Sequence, residues 1–296
     1  MRIAVTGTNG QVVSCLQDRG KAAGHEIIAL GRPKLDLADP VSIHHAIMVA
    51  RPDAVVSAAA YTAVDKAESE AATANSINGV GAGAVADAAR ELQVPLIHLS
   101  TDYVFDGSLN RPYVEADPIG PTGIYGASKL AGEEAVFRSY HHNSAVLRVA
   151  WVYSPYGTNF VKTMLRLAAD QSEISVVADQ IGNPTSAFDI ADGVLQVAHN
   201  LTTRSDSSLR GTFHMTASGE ASWADFAEAI FAASAKRGGP SAGIKRISTA
   251  DYPTPAKRPA NSRLECSKIF ESHGVMLPQW QGSLEKVIDQ LLVGSA

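Results

Sequence analysis

The sequence predicts an α/β protein with a doubly wound parallel sheet and a smaller C-terminal lobe. Short apolar, β-prone runs alternate with helical stretches through the first half, and a glycine-containing turn directly follows the first run. Alternation of this kind produces parallel strands joined by right-handed helical crossovers. At 296 residues the chain is long enough for one large α/β domain with an added lobe.

The apolar runs predict five strands, and the helical periodicity between them predicts four helices. Asp39 before Pro40 is a good start for the second helix, with the aspartate as cap and the proline at the first helical position. The predicted strands are residues 3–6, 26–30, 54–58, 96–100 and 144–149. The predicted helices are residues 10–23, 41–50, 65–92 and 124–140.

The alternation loosens beyond about residue 150. A helix at 189–200 and a strand at 211–215 are expected to return to the main sheet. The other predicted features are a turn-rich loop at 179–185, a helix at 223–236, an ordered proline-rich loop at 253–263 and a helix at 284–292. We therefore divide the chain into a main domain, residues 1–150 with 187–215, and a smaller lobe, residues 151–186 and 216–296.

The first predicted strand ends in a glycine turn that opens a helix. Backbone N–H groups at such a helix start bind the pyrophosphate of a dinucleotide, so the main domain is predicted to bind one. Val13 stands where a third glycine is usual, but that glycine serves helix–strand packing rather than phosphate contact. An ordinary strand–helix turn is the alternative. The predicted dinucleotide contacts are Gly7, Asn9, Gly10, Gln11, Val12, Asp36, Leu37, Ala59, Ala60 and Tyr61.

The residue after the second strand bears on the choice of dinucleotide. NAD-binding sites usually place a carboxylate there for the adenosine 2′-hydroxyl, whereas this chain has Arg32 and no carboxylate before Asp36. A guanidinium suits a 2′-phosphate far better than a hydroxyl. We predict NADPH as the cofactor, with NADH still possible if Arg32 is a solvated loop residue.

Tyr125 and Lys129 lie four residues apart in the predicted helix 124–140, which places both on one face. An ammonium stabilises a phenolate, so we expect Lys129 to lower the pKa of Tyr125 from about 10. Such a phenol can protonate a carbonyl oxygen while hydride arrives at the carbon. An isolated pair would more often be a surface tyrosine packed over a lysine stem. Here Thr101 and Trp151 follow the fourth and fifth strands, at the same predicted sheet edge.

Composition narrows the classes of partner. Hydrophobic content of 45% and charged content of 19% are ordinary for a globular protein, and a net charge of −5 disfavours nucleic acid or an anionic membrane. The sequence shows no apolar stretch of membrane-span length and no secretory signal, so we expect a cytoplasmic protein. Cys15 and Cys266 are too few for a disulfide framework. The histidine pairs 44–45 and 141–142 are interpreted as solvated, because neighbours on a helix point apart.

Together these residues resemble the extended short-chain dehydrogenase/reductase group and, within it, the dTDP-4-dehydrorhamnose reductase family. The closer similarity rests on five segments spread over nearly the whole chain, residues 58–68, 100–107, 125–133, 179–185 and 253–264. The resemblance implies a Rossmann-type sheet with a substrate-binding lobe. It also implies NAD(P)H-dependent reduction of the C4 ketone of dTDP-4-dehydro-β-L-rhamnose, giving dTDP-β-L-rhamnose for cell-surface polysaccharide.

The resemblance implies roles for the matching residues around the ketone. Tyr125 would donate the proton, Lys129 would hold the nicotinamide ribose, and Thr101 would hydrogen-bond near the carbonyl. Asp102 and Trp151 would contact the sugar, although Trp151 could instead be a core aromatic.

The dTDP pyrophosphate needs local positive charge on an acidic protein. We nominate Arg258 and Arg263 for it. The alternative is that both arginines anchor the C-terminal tail by ion pairs.

Other functions are weighed against this reduction, and one of them is a nucleotide-sugar 4-reductase that acts on a different ketosugar. Nucleotide-sugar 4,6-dehydratases carry a glutamate where this chain has Tyr103, so the elimination base is missing. A 4-epimerase is harder to exclude, and a non-catalytic NADP-binding regulatory subunit would not need the Thr101, Tyr125 and Lys129 set.

Some members of the family are metal-bridged dimers that use glutamates. The positions aligned with two of them hold Cys15 and Phe188, neither of which is a ligand for a hard cation. We predict no structural magnesium, and the sequence leaves monomer or homodimer open.

Overall fold

The structure is a computed structural model that describes residues 1–292. Its strands are β1 (Arg2–Thr6), β2 (Glu26–Leu30), β3 (Ala54–Ser57), β4 (Leu96–Thr101), β5 (Ser144–Val149), β6 (Val152–Tyr153), β7 (Glu173–Val177), β8 (Ile181–Gly182), β9 (Thr185–Ser186), β10 (Gly211–His214), β11 (Ala221–Ser222) and β12 (Gly243–Ile247). Its helices are α1 (Gln11–Ala22), α2 (Pro40–Ala50), α3 (Val64–Ala67), α4 (Ala71–Asn75), α5 (Gly81–Leu92), α6 (Ile124–Tyr140), α7 (Phe160–Ala168), α8 (Ala187–Thr203), α9 (Trp223–Ala235), α10 (Ser267–His273) and α11 (Trp280–Leu292).

Six parallel strands form the main sheet in the order β10–β5–β4–β3–β1–β2. The chain moves outward from β1 to β2 and then crosses to β3 on the other side of β1. The strand order therefore reverses at β1, and a crevice opens there at the carboxyl ends of β1 and β3, where such sheets bind ligands. The predicted Rossmann-type doubly wound sheet is confirmed.

Helices cover both faces of this sheet. On one face α1 and α8 pack together, with Leu16 and Val194 among the buried side chains. On the other face α2, α5 and α6 pack over Ile43, Val85 and Val136. Apolar burial on both faces explains why the strands are short continuous hydrophobic runs rather than alternating patterns.

The predicted bounds of β2, β5 and α6 coincide with the observed ones. The prediction of one helix over residues 65–92 is wrong, because that stretch contains α3, α4, a π-helical turn at Ser76–Val80 and α5. The π turn carries Asn78. Its Oδ1 accepts from the N–H of Tyr61 at 2.7 Å, and its Nδ2 donates to Tyr61 O at 3.0 Å. Asn78 also donates to the Ser128 hydroxyl at 2.9 Å. The irregular turn thus joins the loop after β3 to helix α6.

A smaller lobe is built around the parallel pair β7 and β12, covered by α7, α9 and α11. Its core includes Tyr153, Phe226 and Trp280. The strands β7 and β12 and the helix α7 were not predicted. The predicted loop 179–185 contains β8 and the first residue of β9, which pair with β11 and β6.

The tail of the chain is shared between the two cores. Ile269, Val275 and Leu277 pack into the core of the main sheet, although the sequence assigns residues 216–296 to the lobe. The proline-rich stretch 253–263 contacts the main domain, with Ala256 N–H donating to Asp65 Oδ1 at 3.3 Å and Asn261 Nδ2 donating to Leu109 O at 2.8 Å. No helix in residues 1–292 is long and apolar enough to cross a membrane.

Candidate active site

The turn after β1 forms the floor of a groove. Gly7 has φ +100°, a conformation that favours glycine, and its N–H donates to Leu30 O at 2.6 Å. A Cβ on Gly7 would lie 3.2 Å from Ala59 Cβ and 3.3 Å from Val13 Cγ2. Val13 therefore packs directly against the turn, where the usual third glycine is replaced. Gly10 precedes α1 in an extended conformation, with no side chain to cap the helix.

Two adjoining cavities, of about 410 and 490 Å³, run along the carboxyl ends of β1, β3 and β4. They share Gly7, Asn9, Ala59 and Ala60 in their walls. The first continues along the residues after β2, which are Arg32, Asp36 and Leu37. The second continues to Gly10, Gln11, Val12, Tyr125 and Lys129. Together they form one elongated groove, which we call the dinucleotide groove.

Of the predicted cofactor residues, Tyr61 lies outside the walls of both cavities. Its hydroxyl donates to Glu70 Oε2 at 2.6 Å, and its backbone is held by Asn78. Tyr61 therefore supports the loop after β3 and does not form a wall of the groove.

Gln11 lines the groove but uses its side chain elsewhere. Its Oε1 accepts from Ser154 Oγ and Asn159 Nδ2, both at 2.9 Å, and its Nε2 donates to Val152 O at 3.3 Å. These bonds fix the segment that leads into the lobe against the start of α1. Gly157 and Thr158 of that segment also line the groove, which sequence reasoning missed because no local pattern marks them.

Tyr125, Lys129 and Thr101 come together at the end of β4. Lys129 is 3% exposed, and its Nζ donates to Leu99 O at 2.7 Å. Burial lowers the pKa of Lys129 to about 8, while Glu133 acts in the opposite direction. Burial raises the pKa of Tyr125 to about 12, with the Thr101 hydroxyl opposing the rise.

The expectation that Lys129 lowers the pKa of Tyr125 is wrong for this structure. The ammonium is directed at the carbonyl of Leu99. Burial is the largest cause acting on the pKa of Tyr125, and it raises that pKa. At neutral pH the phenol of Tyr125 is therefore protonated, which suits a proton donor.

Asp102 follows Thr101 and is 2% exposed. Its Oδ1 accepts from Thr101 Oγ1 at 2.8 Å, whereas its Oδ2 is buried with no hydrogen-bond partner among residues 1–292. Burial raises the pKa of this carboxyl to about 6, opposed by the hydroxyls of Thr101 and Ser262. Ser262 lies close enough to act on the charge, but its Oγ accepts from Trp151 Nε1 at 3.0 Å and makes no hydrogen bond to Oδ2.

Trp151 is half-buried between the sheet and the lobe. Its ring stacks on that of Trp223, with centroids 3.5 Å apart and 3° between the planes. One face of the indole is therefore covered by protein, so only the rest of the ring remains for a substrate. Sequence reasoning did not find Trp223. The two residues are far apart in the sequence and meet only because the start of α9 packs against the segment that follows β5.

The two nominated arginines have different surroundings. Arg263 is 15% exposed in its side chain and donates to Asn261 Oδ1, Asn110 O and Glu220 Oε2 at 2.8 to 3.0 Å. These contacts favour the tail-anchoring alternative for Arg263. Arg258 pairs with Asp65 Oδ2 at 2.8 Å, and its Nε is buried without a partner in the described chain.

Arg258 also lies near the catalytic helix. Burial raises the pKa of Tyr103, and the charge of Arg258 opposes the rise. The Tyr103 ring meets the Tyr125 ring edge-on, with centroids 5.6 Å apart. Of the two arginines nominated for the pyrophosphate, Arg258 is therefore the one that lies near Tyr125.

The residues considered for metal binding are scattered. In residues 1–292 no three His, Cys, Asp or Glu side chains come close enough to hold an ion. His44 Nε2 pairs with Glu91 at 2.9 Å on the surface. The rings of His141 and His142 meet edge to face at 5.5 Å. Cys15 is buried, and Phe188 lies under the Arg19 guanidinium.

A dinucleotide groove that ends at a Tyr–Lys helix and a strand-end threonine defines a reductase of the short-chain dehydrogenase/reductase type. The chain matches the family described as "RmlD substrate binding domain" over residues 1–293. It is 50% identical over 293 residues to a dTDP-4-dehydrorhamnose reductase of Sinorhizobium fredii, covering 99% of this chain and 98% of the relative. It is 39% identical to the Escherichia coli K12 enzyme of that name, over 100% of both chains. The chain therefore belongs to the dTDP-4-dehydrorhamnose reductase family.

Solved structures agree with this assignment. A dTDP-4-dehydrorhamnose reductase of Clostridium acetobutylicum has a TM-score of 0.90 at 36% identity, covering 98% of this chain and 99% of that one. The Bacillus anthracis enzyme, solved in complex with NADP, has the same TM-score and coverage at 34% identity. A UDP-glucose 4-epimerase of Thermus thermophilus, at 21% identity and a TM-score of 0.78 with 100% of both chains covered, shares the fold.

Proposed function

We propose that this protein reduces the C4 ketone of dTDP-4-dehydro-β-L-rhamnose to the alcohol of dTDP-β-L-rhamnose, with NADPH as the reductant. The observation that carries the proposal is the convergence of Thr101, Tyr125 and Lys129 at one end of the dinucleotide groove. Membership of the family supports the choice of substrate.

The groove fits a dinucleotide on its own geometry. Gly7 lets the turn after β1 pack closely against Ala59 and Val13, and the backbone at the start of α1 carries no side-chain cap. Arg32 lines the far end of the groove with an exposed guanidinium that makes no hydrogen bond or ion pair within residues 1–292. We assign Arg32 to the 2′-phosphate of NADPH, with NADH as the weaker alternative. The reduced nicotinamide, when bound, supplies the hydride to the C4 carbon.

The residues of the cleft handle the proton. Tyr125 donates its phenolic proton to the C4 oxygen as the carbon accepts the hydride, and recovers a proton from solvent. Thr101, whose hydroxyl donates to Asp102 Oδ1 before substrate binds, is assigned to hydrogen-bond near the sugar carbonyl. Lys129, as an ammonium, donates hydrogen bonds at the strand end and is assigned to the nicotinamide ribose.

The residue after Asp102 supports reduction rather than dehydration. A 4,6-dehydration requires a base at this position to remove a proton from the sugar. Tyr103 stands there, and burial raises the pKa of its phenol still further from neutrality. The sugar is assigned to Asp102 and the free side of Trp151, and the pyrophosphate to Arg258. We place the reaction in the cytoplasm, where nucleotide sugars and NADPH are available together.

The test is NADPH oxidation, followed by absorbance, with enzymatically prepared dTDP-4-dehydrorhamnose. The Tyr125→Phe variant is expected to lose about 10²- to 10⁴-fold in kcat. Tyr61→Phe is the matched control, since it removes a phenol outside the groove walls and should retain the wild-type rate. Wild-type protein that binds NADPH but reduces no dTDP-ketosugar would refute the proposal.

A further inference from the structure

A third ionisable side chain lies on the same face of α6 as Tyr125 and Lys129. Glu133 is four residues beyond Lys129, and Glu133 and Lys129 are each only 3% exposed. Residues at this spacing are neighbours on a helix. The mechanism proposed above assigns no role to Glu133. A buried carboxylate is nevertheless costly unless it is paired.

Glu133 is held by partners from two strands of the main sheet. Its Oε1 accepts from Ser100 Oγ of β4 and from Arg148 Nε of β5, the latter at 3.0 Å. Its Oε2 accepts from Arg148 Nη2 at 2.7 Å. Arg148 is itself 2% exposed and lies over the Phe105 ring at 5.1 Å. The carboxylate is therefore fixed by a bidentate pair and a hydroxyl, all inside the protein.

The same stretch of β4 holds Lys129. Leu99 accepts from Lys129 Nζ, and the next residue, Ser100, donates to Glu133. Ammonium and carboxylate are thus attached to consecutive strand residues, and the residue after them is Thr101. Glu133 and Lys129 are therefore both tied to the segment of β4 that ends at Thr101.

The other charges of this region do not replace Glu133. Burial keeps the pKa of His98 on β4 and of His214 on β10 well below the usual value, so both rings are neutral at working pH. Arg148 on β5 is positive and is engaged with Glu133. Tyr125 lines the dinucleotide groove, and Asp102 is buried beside Thr101. Among these groups Glu133 is the one that raises the pKa of Lys129.

We propose that Glu133 is a positioning residue for the reduction: held by Arg148 and Ser100, its carboxylate fixes the segment of β4 that also holds Lys129 and leads to Thr101. This inference rests on the proposed function for its catalytic readout. It assigns a mechanistic task to a buried ion pair that would otherwise serve only the stability of the core.

The main test is a double variant that combines Glu133→Gln with Arg148→Met. It removes both charges together and leaves neither of them unpaired in the core. The pH dependence of kcat is measured with NADPH and dTDP-4-dehydrorhamnose. Because Glu133 raises the pKa of Lys129, the variant should lose the ammonium at lower pH than the wild type. The alkaline limb should therefore move to lower pH, with a larger loss of kcat at pH 8 than at pH 7. KM should change by less than about threefold, because uniform substrate binding is not altered.

Glu134→Gln is the matched control, since Glu134 is the exposed neighbour on α6 and removes one carboxylate from the same helix. It should retain the wild-type profile. A folded double variant with the wild-type kcat and pH profile would overturn the proposal and leave the Glu133–Arg148 pair a purely structural one.

If the double variant does not fold, Ser100→Ala decides the question. It keeps both charges but removes the hydroxyl that fixes Oε1, and it should give a smaller shift in the same direction. An unchanged profile in Ser100→Ala would then overturn the proposal. If the wild type reduces no ketosugar, the proposed function fails, and the pH dependence of NADPH binding in the same variants still tests the link from Glu133 to Lys129.

Discussion

The indoles of Trp151 and Trp223 lie face to face, with ring centroids 3.5 Å apart and planes within 3°. Trp151 has φ +47°, a left-handed conformation that is strained for a bulky residue. On another side, Gly182 packs so closely that a Cβ there would lie 2.4 Å from Trp151 Cε2. The ring is thus fixed by its neighbours at the point where the chain leaves β5 for the lobe. We infer that Trp223 holds Trp151 in the orientation that the sugar meets.

Replacing Trp223 by leucine should therefore weaken substrate binding. An aromatic pair contributes about 0.5–1.5 kcal/mol beyond its buried area, so KM for dTDP-4-dehydrorhamnose should rise about two- to tenfold. The dissociation constant of NADPH should stay unchanged, because Trp223 does not line the dinucleotide groove. Trp280→Phe, in the same aromatic cluster, is the control that should cost stability without raising KM. Equal KM values in wild type and Trp223→Leu would contradict this account of Trp151.

The rate should depend on pH through Lys129. Its pKa is lowered to about 8 by burial, so the ammonium is present below that pH and is lost as the pH rises through it. Tyr125, whose pKa is raised to about 12, stays protonated over the same range. We expect kcat/KM to fall about tenfold per pH unit above pH 8. Lys129→Arg should be slower overall but lack this limb, since a guanidinium keeps its charge. A flat wild-type profile between about pH 7 and pH 10 would rule out the dependence.

Asp102 should lower the stability of the fold at neutral pH. Burial raises its pKa from 3.8 to about 6, so between these values the folded chain holds a proton that the unfolded chain releases. Stability attributable to this group falls as the pH rises through that window and stays low above it. Two pKa units correspond to about 3 kcal/mol as an order of magnitude.

The variant Asp102→Asn should therefore raise the free energy of unfolding by about 1–3 kcal/mol at pH 7, show no gain near pH 4, and reduce turnover. Urea unfolding at the two pH values measures this difference. Asp117→Asn is a control of opposite sign, because Arg111 holds the pKa of that carboxyl down at about 2. It should lose stability at pH 7. A stability gain in Asp102→Asn that is equal at both pH values would show that ionisation is not the cause.

Local sequence patterns predicted the main sheet well because each strand and helix there carries its own signal. The helix that bears Tyr125 and Lys129 and the strand that ends at Thr101 were found from such patterns. The pair β7 and β12 was missed because both strands are only five residues long and pair with each other across a long stretch of sequence. Two-residue strands such as β8 and β9 exist only through their distant partners.

The supporting residues of the cleft could not be predicted for a related reason. Asn78 sits in a segment with ordinary helical composition, and only the π turn directs its amide at Tyr61 and Ser128. Glu133 reads as one more acidic residue on a helix until the packing of α6 on β5 brings it to Arg148. Contacts between elements also direct the Lys129 ammonium to the carbonyl of Leu99. The sequence could not show this contact, so the prediction that Lys129 lowers the pKa of Tyr125 was wrong.

Arg32 should determine the preference between the two nicotinamide cofactors. Arg32→Ala is expected to weaken NADPH binding by about tenfold, the contribution of a charge-assisted hydrogen bond at an exposed site, and to leave NADH binding unchanged. Lys34→Ala removes a neighbouring exposed charge that does not line the groove, and should alter neither affinity. Titration of both cofactors by fluorescence measures these values. A similar loss for NADPH and NADH in Arg32→Ala would place Arg32 away from the 2′-phosphate.

Arg258 and Arg263 should differ in what their loss affects. Arg258 has a buried Nε without a partner in the described chain and one ion pair, to Asp65, that an anionic ligand can replace. Arg258→Gln should raise KM for the dTDP-sugar by about tenfold or more with little change in stability, because a charge-assisted bond to the pyrophosphate is lost. Arg263 has its donors engaged with Asn261, Asn110 and Glu220, so Arg263→Gln should lower the free energy of unfolding and leave KM near wild type. Steady-state kinetics and urea unfolding of the two variants, run side by side, separate binding from anchoring. The reverse pattern, with KM raised in Arg263→Gln alone, would move the pyrophosphate site from Arg258 to Arg263.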